Sequence, residues 1–269
     1  DGRGRTYDQL INWDCLFSIS YATKLQILLV LIVLAHLINW ISNMSIMRIL
    51  LLIKNFFIRV HFGQHGEDVI VHKLFNKNIK NGFYLDVGAH HPFRQSNTAY
   101  LWLKGWNGVN IDASKASISA FNKIRKKDEN IWMAVVDINT ANMQSNITLN
   151  FNPNVKYDLG ATCSVSLAIE RKTSAQISVP CDSLLNIVNN YAPKRDTEFN
   201  FMNIDIEGFD ERCLIGMEQW KSKPQVICIE SLIDEGIRSI LKTKLNITLE
   251  NNGYELQGKT GISLIYCKK

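Results

Sequence analysis

FYLDVGA, residues 83–89, is an apolar run closed by a carboxylate and a glycine. It is too short for a buried helix and reads as a strand covered on both faces that turns at Gly88. Four further runs share its texture: GVNIDA (108–113), IWMAVVD (131–137), FNFMNIDIEG (199–208) and PQVICIES (224–231). Between them, residues 114–127 and 209–221 have helical composition. Strands alternating with helices predict a parallel sheet with helices on both faces. YELQ (254–257) and ISLIYCKK (262–269) read as two closing strands around a Gly-Lys-Thr-Gly turn. The expected fold is a doubly wound α/β sheet, mostly parallel, with a closing antiparallel strand.

In such sheets ligands bind beyond the carboxyl ends of the strands, where the strand order reverses. The five runs end in Asp86, Asp112, Asp137, Asp205 with Glu207, and Glu230. Any one of these alone is ordinarily a helix cap or turn residue. Five at equivalent positions point to a ligand site. The first turn lacks the G-x-G-x-x-G pattern that brings backbone N–H groups to a pyrophosphate, and no phosphate loop is present. Instead Asp86-Val87-Gly88-Ala89 runs into His90, His91 and Pro92. This suits close approach of a small ligand without a diphosphate. S-adenosylmethionine meets that description: Asp112 suits its ribose hydroxyls, and acidic side chains suit its sulfonium and ammonium groups.

The block GFYLDVGAHHPFRQSNTAYLWLKGWNGVNIDA (82–113) resembles the signature of the FkbM methyltransferase family. HFGQHGEDVIVHKLF (61–75) is similar to that family's Q-x-G-E-D element at Gln64, Gly66, Glu67 and Asp68. FNKIRKKDENIWMAVVD (121–137) and FMNIDIEGFDERCLIGM (201–217) match later blocks in order and spacing. Cys181-Asp182-Ser183 departs from the Leu-Asp pair of many members. The resemblance spans residues 61–269. It implies a Rossmann-like methyltransferase sheet and methyl transfer from S-adenosylmethionine to an oxygen, typically a hydroxyl of a sugar, a glycan or another small metabolite.

On that resemblance Asp86, Gly88 and Ala89 are assigned to cofactor binding, and Glu67 and Asp68 to a lid over cofactor or acceptor. Asp112 is expected on the ribose and Asp137 on the adenine amino group, where the plainer role is a helix cap. Asp205 and Glu207 stand two residues apart, on the same side of a strand. Either serves as the base for the acceptor hydroxyl or only orients it. His90, followed by His91, is a further catalytic candidate. A metal held by these histidines with Asp205 or Glu207 is the sharper alternative. No other histidine is placed at the rim, and no metal is expected.

Residues 1–60 form a separate apolar and basic segment. Within it LQILLVLIVLAHLINWI (25–41) is near the lower length for a membrane span, roughly 17 residues. It reads as a signal anchor or as an apolar helix packed on a partner. MSIMRILLLIKNFFIRV (44–60) sets Arg48, Lys54 and Arg59 among bulky apolar residues, a pattern that suits a membrane surface. The expected location is the cytoplasm, attached to the inner face of the membrane through residues 25–60. The formal net charge of +5 comes from short clusters without interleaved aromatics, which argues against nucleic acid. None of the six cysteines forms a C-x-x-C pair, so zinc-finger spacing is absent. Two rival functions remain: a metal-dependent glycosyltransferase using Asp205 and Glu207, and a membrane-tethered binding module without catalysis.

Overall fold

The computed structural model describes residues 28–36, 61–75, 79–158, 161–192, 199–231 and 236–269. The chain divides into two compact units, Asp1–Val60 and His61–Lys269. In the first, residues 28–36 are helical. Leu28 to Leu34 are each between 44% and 60% exposed. The rest of the apolar run 25–41 and the basic stretch 44–60 lie outside the described residues. Among the described residues no helix is long and apolar enough to cross a membrane.

The second unit is built on a seven-stranded sheet. Its strands are β1 (Phe83–Val87), β2 (Asn107–Asp112), β3 (Glu129–Trp132), β7 (Phe199–Ile204), β8 (Val226–Glu230), β9 (Tyr254–Thr260) and β10 (Ser263–Lys268). They lie in the order β3-β2-β1-β7-β8-β10-β9. Pairing is parallel from β3 through to β8, and β10 runs antiparallel to both its neighbours. The apolar runs form strands because both faces of the sheet are covered. Every residue of β7 and of β8 is buried. One cluster, including Leu85, Ile111, Met202, Ile204 and Ile229, packs on one side. Tyr84, Trp106, Phe201 and Cys228 pack on the other, with Val71 of helix α1 (Glu67–Leu74). The doubly wound sheet and its antiparallel closing strand agree with the sequence reading.

Two local expectations fail. Residues 131–137 are not one strand. The chain leaves the large sheet at Met133, and Ala134–Val136 becomes β4 of a second, three-stranded sheet. There β4 pairs parallel with β6 (Ala175–Ser183), whose other edge takes β5 (Asn146–Phe151) antiparallel. Apolar continuity across Met133 hides the break, because both halves bury side chains. Residues 209–221 hold only the short 3₁₀ turns Arg212–Leu214 and Met217–Gln219. Gly216 lies between them with a φ of 90°, which ends any continuous helix.

The strand order reverses between β1 and β7, and here backbone meets backbone. Gly88 has a φ of 79°, and a Cβ built on it would stand 1.6 Å from the Asp205 carbonyl oxygen. The Gly88 and Ala89 amides both donate to the Ile111 carbonyl, at 2.9 and 3.0 Å, and the Asp205 amide donates to Val87 at 2.9 Å. The ends of β1, β2 and β7 are thereby fixed to one another.

Behind this turn lies a fully buried guanidinium. Arg125 follows the helix Lys115–Ile124, which Ser114 caps by accepting from the Ser117 amide. Its Nη1 donates to Thr98 (2.8 Å) and Tyr84 (3.1 Å), and its Nη2 to the Pro92 carbonyl and to Ser96 (3.1 Å). Thr98 in turn donates to Asp86, and Tyr84 to Asp128. The loop after Gly88 is therefore tied to the sheet by charge-assisted hydrogen bonds.

Gly88→Ala is expected to lower the urea midpoint of unfolding more than any alanine substitution at an exposed glycine, because two backbones must separate to admit the methyl. Arg125→Leu leaves buried acceptors without a donor and is expected to cost about 3–5 kcal/mol in the same measurement.

Candidate active site

A cleft opens at the carboxyl ends of β1, β2 and β7. The large sheet gives it Gly88, His90, Asp112, Asp205 and Glu207. The second sheet and its loops close it with Val135, Leu149, Ala161, Thr162 and Cys163. Met133, where the chain changes sheets, lines it too.

Asp112 ends β2 with its carboxylate held by the backbone. Oδ2 accepts from the His90 amide at 2.7 Å, and Oδ1 from the Ser114 amide at 2.6 Å. Two oxygens offer about four acceptor positions, so capacity remains for a vicinal diol. Burial raises its pKa to about 6, against the lowering pull of those two amides. His90 has a φ of 52°, and its Nε2 is buried without a hydrogen-bond partner. Burial lowers its pKa to about 4, helped by His91 and Arg94, so at neutral pH the ring is uncharged. Tyr157 stands edge-on to both histidine rings.

Asp205 and Glu207 both reach the cleft, though not by strand alternation, since β7 ends at Ile204. The chain turns sharply instead: Glu207 has a φ of 54° and Gly208 of 111°. Asp210 holds the turn by accepting from the Ile206 amide (2.8 Å) and the Gly208 amide (3.1 Å). Glu207 Oε2 pairs with Arg171 at 2.6 Å. A carboxylate oxygen from each of Asp205, Glu207 and Glu230 lies within 4.8 Å of the others. Burial, with the charges of Glu230, Asp210 and Glu207, pushes Asp205 well above the usual carboxylate range; burial, with Asp210 and Glu207, raises Glu230 to about 8 against the lowering pull of a hydrogen bond with Asp205.

Five residues expected at the ligand do not line the cleft. Asp86 is buried beneath the turn, accepting from Thr98 and, at 3.0 Å, from Asn203. Ala89 is buried with its amide on Ile111. Glu67 is buried and engages Thr260 (2.9 Å) and the His65 amide (2.8 Å). Asp137 ends β4 rather than a strand of the large sheet. It caps the helix Ile138–Met143 through the Asn139 and Thr140 amides, and pairs with Arg212 at 2.6 Å. Burial pushes its pKa up, but those hydrogen bonds and the Arg212 charge hold it below the usual range. Asp68 is also buried, with Oδ2 accepting from the Phe62 amide.

Sequence reasoning missed the wall contributed by β4 and β5, the Arg171 partner of Glu207, and Asp210. The last was legible as the third acid of Asp205-Ile206-Glu207-Gly208-Phe209-Asp210, spaced to accept from the turn it follows.

No curated protein and no solved structure gives a significant match to the chain. The family model of the methyltransferase FkbM domain matches residues 86–256, more than half of the chain. That span runs from Asp86 through both sheets and into β9, and so contains the whole cleft. The chain is a methyltransferase and belongs to the FkbM family.

Proposed function

We propose that the protein uses S-adenosylmethionine to methylate a hydroxyl oxygen of a sugar, a glycan or another small metabolite. The observation that carries this reading is the sharing of one cleft by Asp112 and by Asp205 with Glu207. Asp112 is suited to the ribose diol. Met133, Val135 and Leu149 offer an apolar wall for a flat adenine ring. Gly88, without a side chain, leaves room over the end of β1. Bound there, the cofactor supplies an electrophilic methyl group on a sulfonium. The acidic side of the cleft then faces the acceptor. Asp205, with a carboxylate made more basic by burial and like charge, would take the proton of the acceptor hydroxyl, while the cofactor's sulfur would leave as a neutral thioether. Glu207, steadied by Arg171, orients the hydroxyl or shares that task. His90, a weak base with an open Nε2, serves as a hydrogen-bonding group. Membership of a methyltransferase family sets aside the sugar-nucleotide reading of Asp205 and Glu207.

The proposal extends to attachment at the inner membrane face through residues 25–60. The exposed apolar side chains of residues 28–34 support it, as do Arg48, Lys54 and Arg59 in the sequence. Removing residues 1–60 is expected to abolish co-sedimentation with anionic vesicles and to leave cofactor affinity unchanged. Equal sedimentation with and without the segment defeats the attachment.

Asp112→Asn is expected to weaken S-adenosylmethionine binding by about 1.5–3 kcal/mol in calorimetry, the worth of one charge-assisted hydrogen bond. With Asp112 raised to about 6, the ionised acceptor is fully present above that pH and lost below it. Cofactor affinity should therefore fall as pH drops through about 6, and this slope should flatten in Asp112→Asn. An unaltered affinity and slope would remove the ribose assignment.

Asp205→Asn and Glu207→Gln keep shape but remove basicity. With labelled methyl and cellular glycans as acceptors, at least one is expected to slow transfer by about 10²–10⁴-fold while retaining cofactor binding. Parent rates in both variants shift the proton acceptor to His90.

A further inference from the structure

Glu230 ends β8 beside the turn that carries Asp205, is 6% exposed and shares a side-chain hydrogen bond with Asp205, while its Oε2 is buried without a partner. A buried carboxylate oxygen left without a donor carries a desolvation cost that a ligand would relieve. Its carboxylate lies within 4.8 Å of those of Asp205 and Glu207. The one ion pair at this cluster among the described residues is Arg171 with Glu207 Oε2. Asp210, next in the turn, spends its two oxygens on backbone amides and does not complete the group.

We propose that Asp205, Glu207 and Glu230 form a divalent cation site at the edge of the cleft. Three oxygens, two from cleft-lining Asp205 and Glu207 and one from Glu230 beside them, suit a small hard cation that keeps waters or takes oxygens from a substrate, rather than one enclosed by protein. The positions are fixed before any ion arrives. Asp205 is held by the hydrogen bond its amide donates to the Val87 carbonyl, Glu207 by the turn that Asp210 closes, and Glu230 by the pairing of β8 with β7 and β10. Its use rests on the proposed methyl transfer. A cation here would coordinate the acceptor hydroxyl, and the acceptor class narrows to molecules with a second oxygen beside the methylated one, such as a vicinal diol of a sugar. Cation binding itself is independent of that reading.

The test uses manganese(II) as the probe, titrated into the full chain without cofactor and followed by the loss of its free-ion electron paramagnetic resonance signal. The wild-type protein is expected to bind one ion, and Glu230→Gln at least tenfold more weakly. Circular dichroism melting confirms that the variant is folded. Glu207→Gln, at a side chain more exposed than Glu230, supplies a second variant with the same expected loss. No binding by the wild type, or equal binding by wild type and both folded variants, overturns the site. Calorimetry with S-adenosylmethionine on the same samples separates the two readings. Manganese binding without cofactor binding keeps the cation site and removes the methyl-transfer reading; cofactor binding without manganese binding does the reverse.

Discussion

The approach of Gly88 to the Asp205 carbonyl is the constraint on which the rest of the site depends. Two parallel strands that start on opposite sides of the chain's reversal must end in contact, and only a residue without Cβ permits it. Once they touch, the turns that follow are carried to fixed places. His90 lies at the end of one and Glu207 at the end of the other. Asp112 is brought in by the hydrogen bonds of Gly88 and Ala89 to Ile111. The cleft follows from one backbone contact rather than from a matching set of side chains.

Arg125 gives that contact its support. The guanidinium binds three points of the loop between Pro92 and Thr98, and it stacks on Phe121 with its carbon 4.9 Å from the ring centre. A lysine offers three donors on a flexible stem and no plane, so it would not replace this set of bonds. Asp86 belongs to the same network. In sequence it looks like a ligand residue, because it precedes the glycine; in the structure it anchors Thr98 and Asn203 below the turn.

The central strands of the large sheet were legible because they are largely buried and therefore continuously apolar. Gly88, Asp112, Asp205 and Glu207 were legible as cleft residues because they end or directly follow such strands. Asp137 was misread for the same reason. Its run looks like the others, yet the break at Met133 sends it to a second sheet, and no residue type marks that break. The β5 and β6 strands escaped notice because both are half-exposed and polar, with Asn146, Thr148, Asn150, Gln176 and Ser178 among their residues. Arg171 and Glu207 are 36 residues apart, and their meeting depends on how the second sheet folds back. Pairings of that kind follow from tertiary geometry, not from local pattern.

The second sheet also divides the unit His61–Lys269 in two. β1 to β3 come from one continuous stretch and β7 to β10 from another, and the only covalent path between them runs through residues 133–198. Each stretch carries part of the chemistry: Gly88, His90 and Asp112 from the first, Asp205, Glu207 and Glu230 from the second. The joining segment is also the wall of the cleft. The chain is thus organised as two half-sites and a bridge, and a complementing pair of fragments cut within the bridge would have to rebuild the β1–β7 seam before either half could act.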